Sequence, residues 1–305
     1  MATNDARDLN LNIDKEALRP LYEVKPARVW MAYIIEWVVM VTTMILCWNY
    51  FNVFTYISAV IIIGSRMHAL ACVMHDAAHF RFLKNRKWSD LVTDVFVCFP
   101  MLVNVDGYRR NHLGHHQHLN TDEDPDWVAK LGRPAFEHPQ TKGQFLGRLF
   151  LYLVGYQGIA DLRWMTKRVS KDKKTPEQKR QMQVFYLLLI VCLTVFGGWK
   201  FYLIFWVVPF FTSFMMFQYI RSFAEHFGDL EYTNLLTSTR SVKPYLLERL
   251  IVAPYNISYH LEHHLYPGVP FYHLPKLRKV LEQDENYKAQ AHYSRGYFVG
   301  LLNEL

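Results

Sequence analysis

Charge is almost absent from two long stretches of the chain. Between Val29 and Ser65 the single ionisable acid or base is Glu36, and between Gln183 and Ile220 it is Lys200. A helix needs about 20 apolar residues to cross a hydrocarbon core of about 30 Å, so each stretch is long enough to cross twice. Asn49-Tyr50-Phe51-Asn52 interrupts the first and Gly197-Gly198 the second, leaving four expected spans near residues 29–48, 53–73, 183–198 and 201–220. The pattern predicts an all-α integral membrane protein of four transmembrane helices in two hairpins.

Two of these helices run on past the bilayer. The second continues from Val53 to His79 and the fourth from Phe201 to His226, which at 1.5 Å per residue gives lengths of about 40 and 39 Å. Their ends stand about 10 Å beyond the core, so a helical cap is expected on one side of the stalk. The chain divides into an N-terminal segment 1–28, a membrane domain 29–281 and a C-terminal segment 282–305. Residues 145–164 mix Leu, Phe, Tyr and Trp with Arg148 and Asp161, a pattern suited to a helix lying in the interface.

Charge sets the orientation. Of the 34 Lys and Arg, only Lys200 lies in the short connections at 49–52 and 197–200. The other basic residues share one side, which the positive-inside rule makes the cytosol, with both termini and the cap. A multi-pass protein of a bacterial inner membrane is expected, with the endoplasmic reticulum as the alternative. The net charge of +7 then faces anionic headgroups and needs no nucleic acid to explain it. Residues 1–27 carry acids and bases without an apolar core, so no signal peptide is expected there and the first span serves as its own insertion signal. The run from Arg163 to Arg180, with Lys167, Arg168, Lys171, Lys173, Lys174 and Lys179 between, reads as a cytosolic flank that fixes orientation. Docking of an acidic partner is its alternative reading. The 48 Phe, Tyr and Trp exclude disorder. Cys47, Cys72, Cys98 and Cys192 lie in apolar stretches without CxxC spacing and read as buried small hydrophobes. No GxGxxG or GxxxxGK is present, so no nucleotide-binding domain is expected.

The candidate chemistry lies in the 14 histidines. His75 and His79 form HxxxH; His112, His115 and His116 form HxxHH, with His118 just beyond; His226 follows Ala-Glu; His260, His263 and His264 form a second HxxHH. Residues three and four apart share a helix face, so each cluster directs its imidazoles into one space. Neutral imidazole is the commonest metal ligand. Nine clustered histidines exceed what one ion takes and suit two. Ligand softness leaves iron, copper, zinc or nickel open.

The three boxes, His75-Asp-Ala-Ala-His79, His112-Leu-Gly-His115-His116 and His260-Leu-Glu-His263-His264, resemble those of the membrane fatty acid desaturase and hydroxylase superfamily, over about Val29 to Leu281. Pro254-Tyr255-Asn256, Leu265-Tyr266-Pro267, Leu274-Pro275 and Arg221-Ser-Phe-Ala-Glu-His226 are similar to acyl desaturases in particular. The resemblance implies two irons that activate O2 as co-substrate. It implies as ligands His75, His79, His112, His115, His116, His226, His260, His263 and His264. The substrate it implies is a lipid or acyl thioester in the bilayer. No His-Pro-Gly-Gly of a fused cytochrome b5 occurs, so electrons are expected from a separate carrier of ferredoxin or cytochrome b5 type. The run Thr121-Asp122-Glu123-Asp124-Pro125-Asp126 is also similar to carotenoid ketolases and, more loosely, to alkane hydroxylases. An acyl desaturase is therefore expected, with a di-iron ketolase or hydroxylase as the alternative and a non-redox zinc hydrolase or metal-binding receptor as the third reading.

Around the boxes, His68 reads as a packed histidine and His118 as one that orients a ligand. His138, His273 and His292 stand alone and are expected at the surface. Asp76, Asp122, Asp124, Asp126, Glu225 and Glu262 are placed to hold ligand imidazoles from outside, with helix capping or solvated charge as the alternative for Asp122 and Asp126. Glu36, inside the first span, is costly in lipid and so functional by default, with snorkelling or a hydrogen bond in the bundle as the alternative. Pro209 should kink the fourth span.

Overall fold

The computed structural model describes residue 9 and residues 11–169 and 174–305. Residues 1–8 and 10 of the N-terminal segment, and Lys171 and Lys173 of the basic run, lie outside the described residues.

The fold is built of helices. α1 (Pro26–Asn49) and α2 (Val53–Ala78) are joined by three residues. The Asn52 side chain accepts from the N–H groups of Phe54 and Thr55, and the Thr55 hydroxyl accepts from the N–H of Asn52, so the polar break caps the helix it opens. α3 (Arg86–Met101) and α4 (Val105–His118) follow, bent by 88° where Leu102 takes a φ of 65°. Then come α5 (Lys142–Leu153), α6 (Tyr156–Val169), α7 (Pro176–Val195), α8 (Trp199–His226), α9 (His260–Leu265) and α10 (Leu274–Leu281). A small parallel pair, β1 (Ser241–Lys243) and β2 (Tyr293–Arg295), sets Ser241 opposite Tyr293.

Among the described residues, three helices are long and apolar enough to cross a membrane: α1, α2 and α8. Along α1 the side chains of Met31, Ile34, Val38, Ile45 and Leu46 are each more than half exposed, an apolar face that only lipid or another membrane helix would cover. This is a membrane protein. The expected third span, residues 183–198, falls in α7 and the turn after it; α7 begins on Glu177, Lys179 and Arg180, so its apolar stretch is shorter than those of the other three. The bent pair α3 and α4 is a further candidate, as a broken span or a re-entrant loop. No residue of α7 is buried, and Cys192, expected inside, is exposed on it. The expected single interface helix over 145–164 is two helices, because Gly155 at φ 79° ends α5.

Close packing of the long helices depends on small residues. A methyl group at Gly64 of α2 would lie 2.6 Å from the Phe214 backbone nitrogen of α8, and one at Gly158 of α6 would lie 2.1 Å from the Phe211 carbonyl oxygen. Pro209 interrupts α8 between two wide turns at Leu203–Val207 and Phe210–Phe214, where the ladder has lost one N–H. The far ends of α2 and α8 carry His75, His79 and His226, and α4 and α9 pack beside them.

Candidate metal centre

Four helices bring nine imidazoles together. α2 ends on His75 and His79, α4 carries His112, His115 and His116, α8 ends on His226, and the six-residue α9 carries His260, His263 and His264. The nine are buried or, for His116, half-buried. One nitrogen each from His75, His79, His112, His116 and His263 lies within 4.8 Å of all the others. A second group of His115, His226 and His264 meets the same limit, as does a third of Glu225, His226 and His260. The last two share His226, so the nine divide into a set of five and a set of four.

Within the sets the nitrogens face one another. His116 Nε2 is 3.1 Å from His112 Nε2 and 2.9 Å from His263 Nε2, while His260 Nε2 is 2.7 Å from His226 Nε2 and 3.0 Å from His264 Nε2. One N–H cannot satisfy two such contacts, and the Nε2 atoms of His75 and His79 are buried with no hydrogen-bond partner. A metal ion at each set would resolve both facts. With metal–imidazole bonds of about 2.0–2.1 Å, ligand nitrogens at right angles sit about 2.9 Å apart. Burial, and then the neighbouring imidazoles, hold His263 and His264 well below the ordinary histidine pKa, so both are neutral and offer a lone pair.

The two HxxHH boxes divide alike. In α4 the i and i+4 residues, His112 and His116, join the set of five, and the i+3 residue, His115, joins the other. In α9 the i and i+4 residues, His260 and His264, join the set of four, and His263 crosses to the first. Positions i+3 and i+4 are about 100° apart around a helix, so each box faces both sets rather than the single space that spacing suggests.

Two carboxylates stand behind these rings, and one of them is hydrogen-bonded. His115 Nδ1 donates to Asp124 Oδ2 at 2.8 Å, which leaves its Nε2 lone pair facing inward. His260 Nδ1 lies 3.4 Å from Glu225 Oε2, and Arg221 Nε donates to both Glu225 oxygens at 3.0 and 2.9 Å. Other acids of the boxes do different work. Asp76 accepts the Phe271 N–H at 3.0 Å, tying α2 to the segment after the third box. Glu262 accepts from Tyr287 at 3.0 Å and from Ser241 and Arg278, which anchors α9 rather than a ligand. Asp122 is exposed and Asp126 pairs with Lys130.

The remaining histidines sort by contact. His68 is buried between Gln218 Oε1 at 2.7 Å and the Val252 carbonyl at 2.8 Å. His118 turns to Glu123 at 3.0 Å and touches no ligand histidine. His138 is exposed and His292 is half-buried beside Glu304, but His273, expected at the surface, is buried under α10's first turn. Glu36 is buried against Arg66 at 3.2 Å and accepts the Tyr255 hydroxyl at 2.6 Å, so its charge is balanced inside the bundle. One supporting residue gave no sequence signal. Arg109 donates to the carbonyls of Ala78 at 2.9 Å and Ala77 at 3.0 Å and pairs with Asp90, capping the end of α2 where the first box sits. On the sequence it is one of an Arg-Arg pair, and only packing shows which of the two turns inward.

Known proteins are similar to this chain in sequence. The family model for fatty acid desaturase covers residues 51–297. Dihydrorhizobitoxine desaturase of Bradyrhizobium elkanii is 29% identical, over 95% of this chain and 86% of its own length. An sn-1 acyl-lipid omega-3 desaturase (ferredoxin) of Nostoc sp. (strain 36) is 25% identical, over 77% of this chain and 68% of its own length. The sphingolipid delta(4)-desaturase/C4-monooxygenase of Homo sapiens is 24% identical, over 90% of this chain and 80% of its own length. With three histidine boxes converging at the ends of apolar helices and a family model spanning most of the chain, this protein belongs to the fatty acid desaturase family.

Proposed function

We propose that the chain is an O2-dependent desaturase that removes two hydrogens from adjacent carbons of an acyl chain, with two irons held by the nine histidines. The observation that carries this reading is the pair of histidine sets, five and four nitrogens on shared helices. Bound there, iron supplies the O2 chemistry that unactivated C–H bonds require and that side chains lack. The overall balance is one O2, two electrons and two protons taken up with the two substrate hydrogens, giving an alkene and two waters. The electrons come from a separate carrier, as the name of the ferredoxin-linked relative suggests.

In this reading the protein's own groups do four things. The neutral imidazoles bind without adding charge. Asp124 holds the Nδ1 side of His115, which keeps its Nε2 lone pair inward, and Glu225, fixed by Arg221, stands beside His260. Arg109 and Glu262 fix the ends of α2 and α9, so the sets keep their spacing. Burial excludes water from the reacting carbons. The histidine side faces the cytosol, as the basic residues predict, and the substrate lies in the bilayer.

Two observations favour other outcomes. The relative named for dihydrorhizobitoxine aligns over nearly the whole chain, which supports a small non-lipid substrate. The relative named as both desaturase and monooxygenase supports oxygen insertion. One experiment separates them: the purified protein is given a reducing system, 18O2 and either acyl lipids or the small-molecule substrate of that relative. The proposal expects two irons per chain, an acyl product two mass units lighter, and no label in it. His263→Ala should abolish turnover and lower iron content, while His273→Ala keeps both. Zinc in place of iron, label in the main product, or conversion of the small molecule alone would each overturn it.

A further inference from the structure

Between β1 and the third histidine box lies a short helix, Leu246–Ile251, whose apolar side chains point outward. Leu246 is 79% exposed, Leu247 66% and Leu250 56%, with Tyr245 and Val299 beside them at 44% and 58%. Five large apolar side chains together on a protein surface mark a contact.

The depth of this patch follows from its attachment. The last carbonyls of a helix have no partner within it, and here α2 supplies them. Arg66 donates to the Leu250 carbonyl, the Ser65 hydroxyl donates to the Ile251 carbonyl at 3.0 Å, and the His68 ring lies 2.8 Å from the Val252 carbonyl. Ser65 comes 12 residues after Val53, about 18 Å along α2 from its capped end. A hydrocarbon core of about 30 Å then continues about 12 Å beyond the attachment point, and tilting α2 only sinks it further.

A second chain segment completes the patch. The buried Glu248 carboxylate accepts the Tyr245 N–H at 2.9 Å and the Phe298 N–H at 3.0 Å, stitching residues 245–250 to residues 295–299. Gly296, at φ 84°, lets the Tyr245 ring lie where a side chain would sit only 2.7 Å away. Arg249 and Arg295 are exposed at the rim, Arg295 5.8 Å over the Tyr245 ring. Neither has a carboxylate partner among the described residues, because Glu248 is turned inward and already used.

We propose that residues 245–250 and 295–299 form a wedge sunk in the leaflet on the histidine side, and that Arg249 and Arg295 bind the headgroup of an anionic phospholipid of that leaflet. The wedge is packed against the spanning helix α2. An arginine carries its charge at the end of a long apolar stem, and a phosphate offers a planar fork what an inward Glu248 does not.

The test uses the full chain in nanodiscs of phosphatidylcholine with or without phosphatidylglycerol. A fluorophore on Leu247→Cys, with Cys192→Ser to remove the exposed native thiol, should be quenched by lipids brominated on the acyl chain and spared by aqueous iodide. Each of Arg249→Gln and Arg295→Gln should lower the preference for retained phosphatidylglycerol about fivefold, the factor for about 1 kcal/mol per basic side chain at the surface. Quenching by iodide alone overturns the wedge. Equal retention of both lipids, or a preference unchanged in the double variant, overturns the headgroup site.

Discussion

Replacing Asp124 by Asn is the sharpest test of how the metal centre is held. This carboxylate is fully buried and accepts four donors: His115 Nδ1 at 2.8 Å, and the backbone N–H groups of Asn120 at 2.9 Å, Asp126 at 2.8 Å and Trp127 at 3.1 Å. An amide has one acceptor oxygen. If that oxygen keeps Asp126 and Trp127, the NH2 group faces two donors, His115 and Asn120. Each buried donor left without an acceptor costs about 1–3 kcal/mol, so Asp124→Asn should destabilise the fold by about 2–4 kcal/mol after partial relaxation. His115 can relieve its own clash by moving its proton to Nε2. That proton then occupies the atom facing His226 and His264, and metal affinity should fall about 10- to 100-fold, the usual effect of losing an outer partner. The assay is metal retained after dialysis against a graded chelator, beside thermal unfolding followed by tryptophan emission. Asp122→Asn, at an exposed neighbour, controls for the lost charge and should match the native protein in both. Native retention and an unchanged unfolding temperature in Asp124→Asn would refute the argument.

Two further outcomes are expected. With Cys192→Ser as background, single cysteines at Asn52 and Trp199 should react with an impermeant thiol reagent from outside cells and a cysteine at Thr121 should not; labelling at Thr121 in intact cells would invert the orientation. Gly158→Ala should separate α6 from α8, because its methyl would lie 2.1 Å from the Phe211 carbonyl oxygen, and an overpacked contact costs about 1–3 kcal/mol in thermal unfolding. Gly147, with nothing within 4 Å, is its neutral comparison.

Most of the nine histidines could be read from spacing because each box lies on a helix, where separations of three and four are structural. Their division between two sets could not, since it depends on how α4 and α9 are rotated about their axes. The acids beside the boxes were visible as candidates, but sequence could not separate Asp124, which bonds the box histidine His115, from Glu262, which holds a helix. Arg109 was hidden for the same reason as His273: burial is a property of what packs on a residue, and a cation beside another cation reads as surface. The spans showed where charge was missing over a full helix length, in α1, α2 and α8. The bent candidate at α3 and α4 was obscured, because its apolar run turns at Leu102 and is mixed with box residues.

The crossing of the two HxxHH boxes has a consequence for how the centre fills. α9 is only six residues long, too short to persist alone, yet His263 belongs to the set of five while His260 and His264 belong to the set of four. An ion in either set would add to the Glu262 anchor in ordering the helix that the other set also needs. The ordering entropy is therefore met once, by whichever ion arrives first. Loading should be cooperative, with intermediate occupancy rare and the second ion bound more tightly than the first. By reciprocity, a substitution that empties one set should weaken the other without touching any of its ligands.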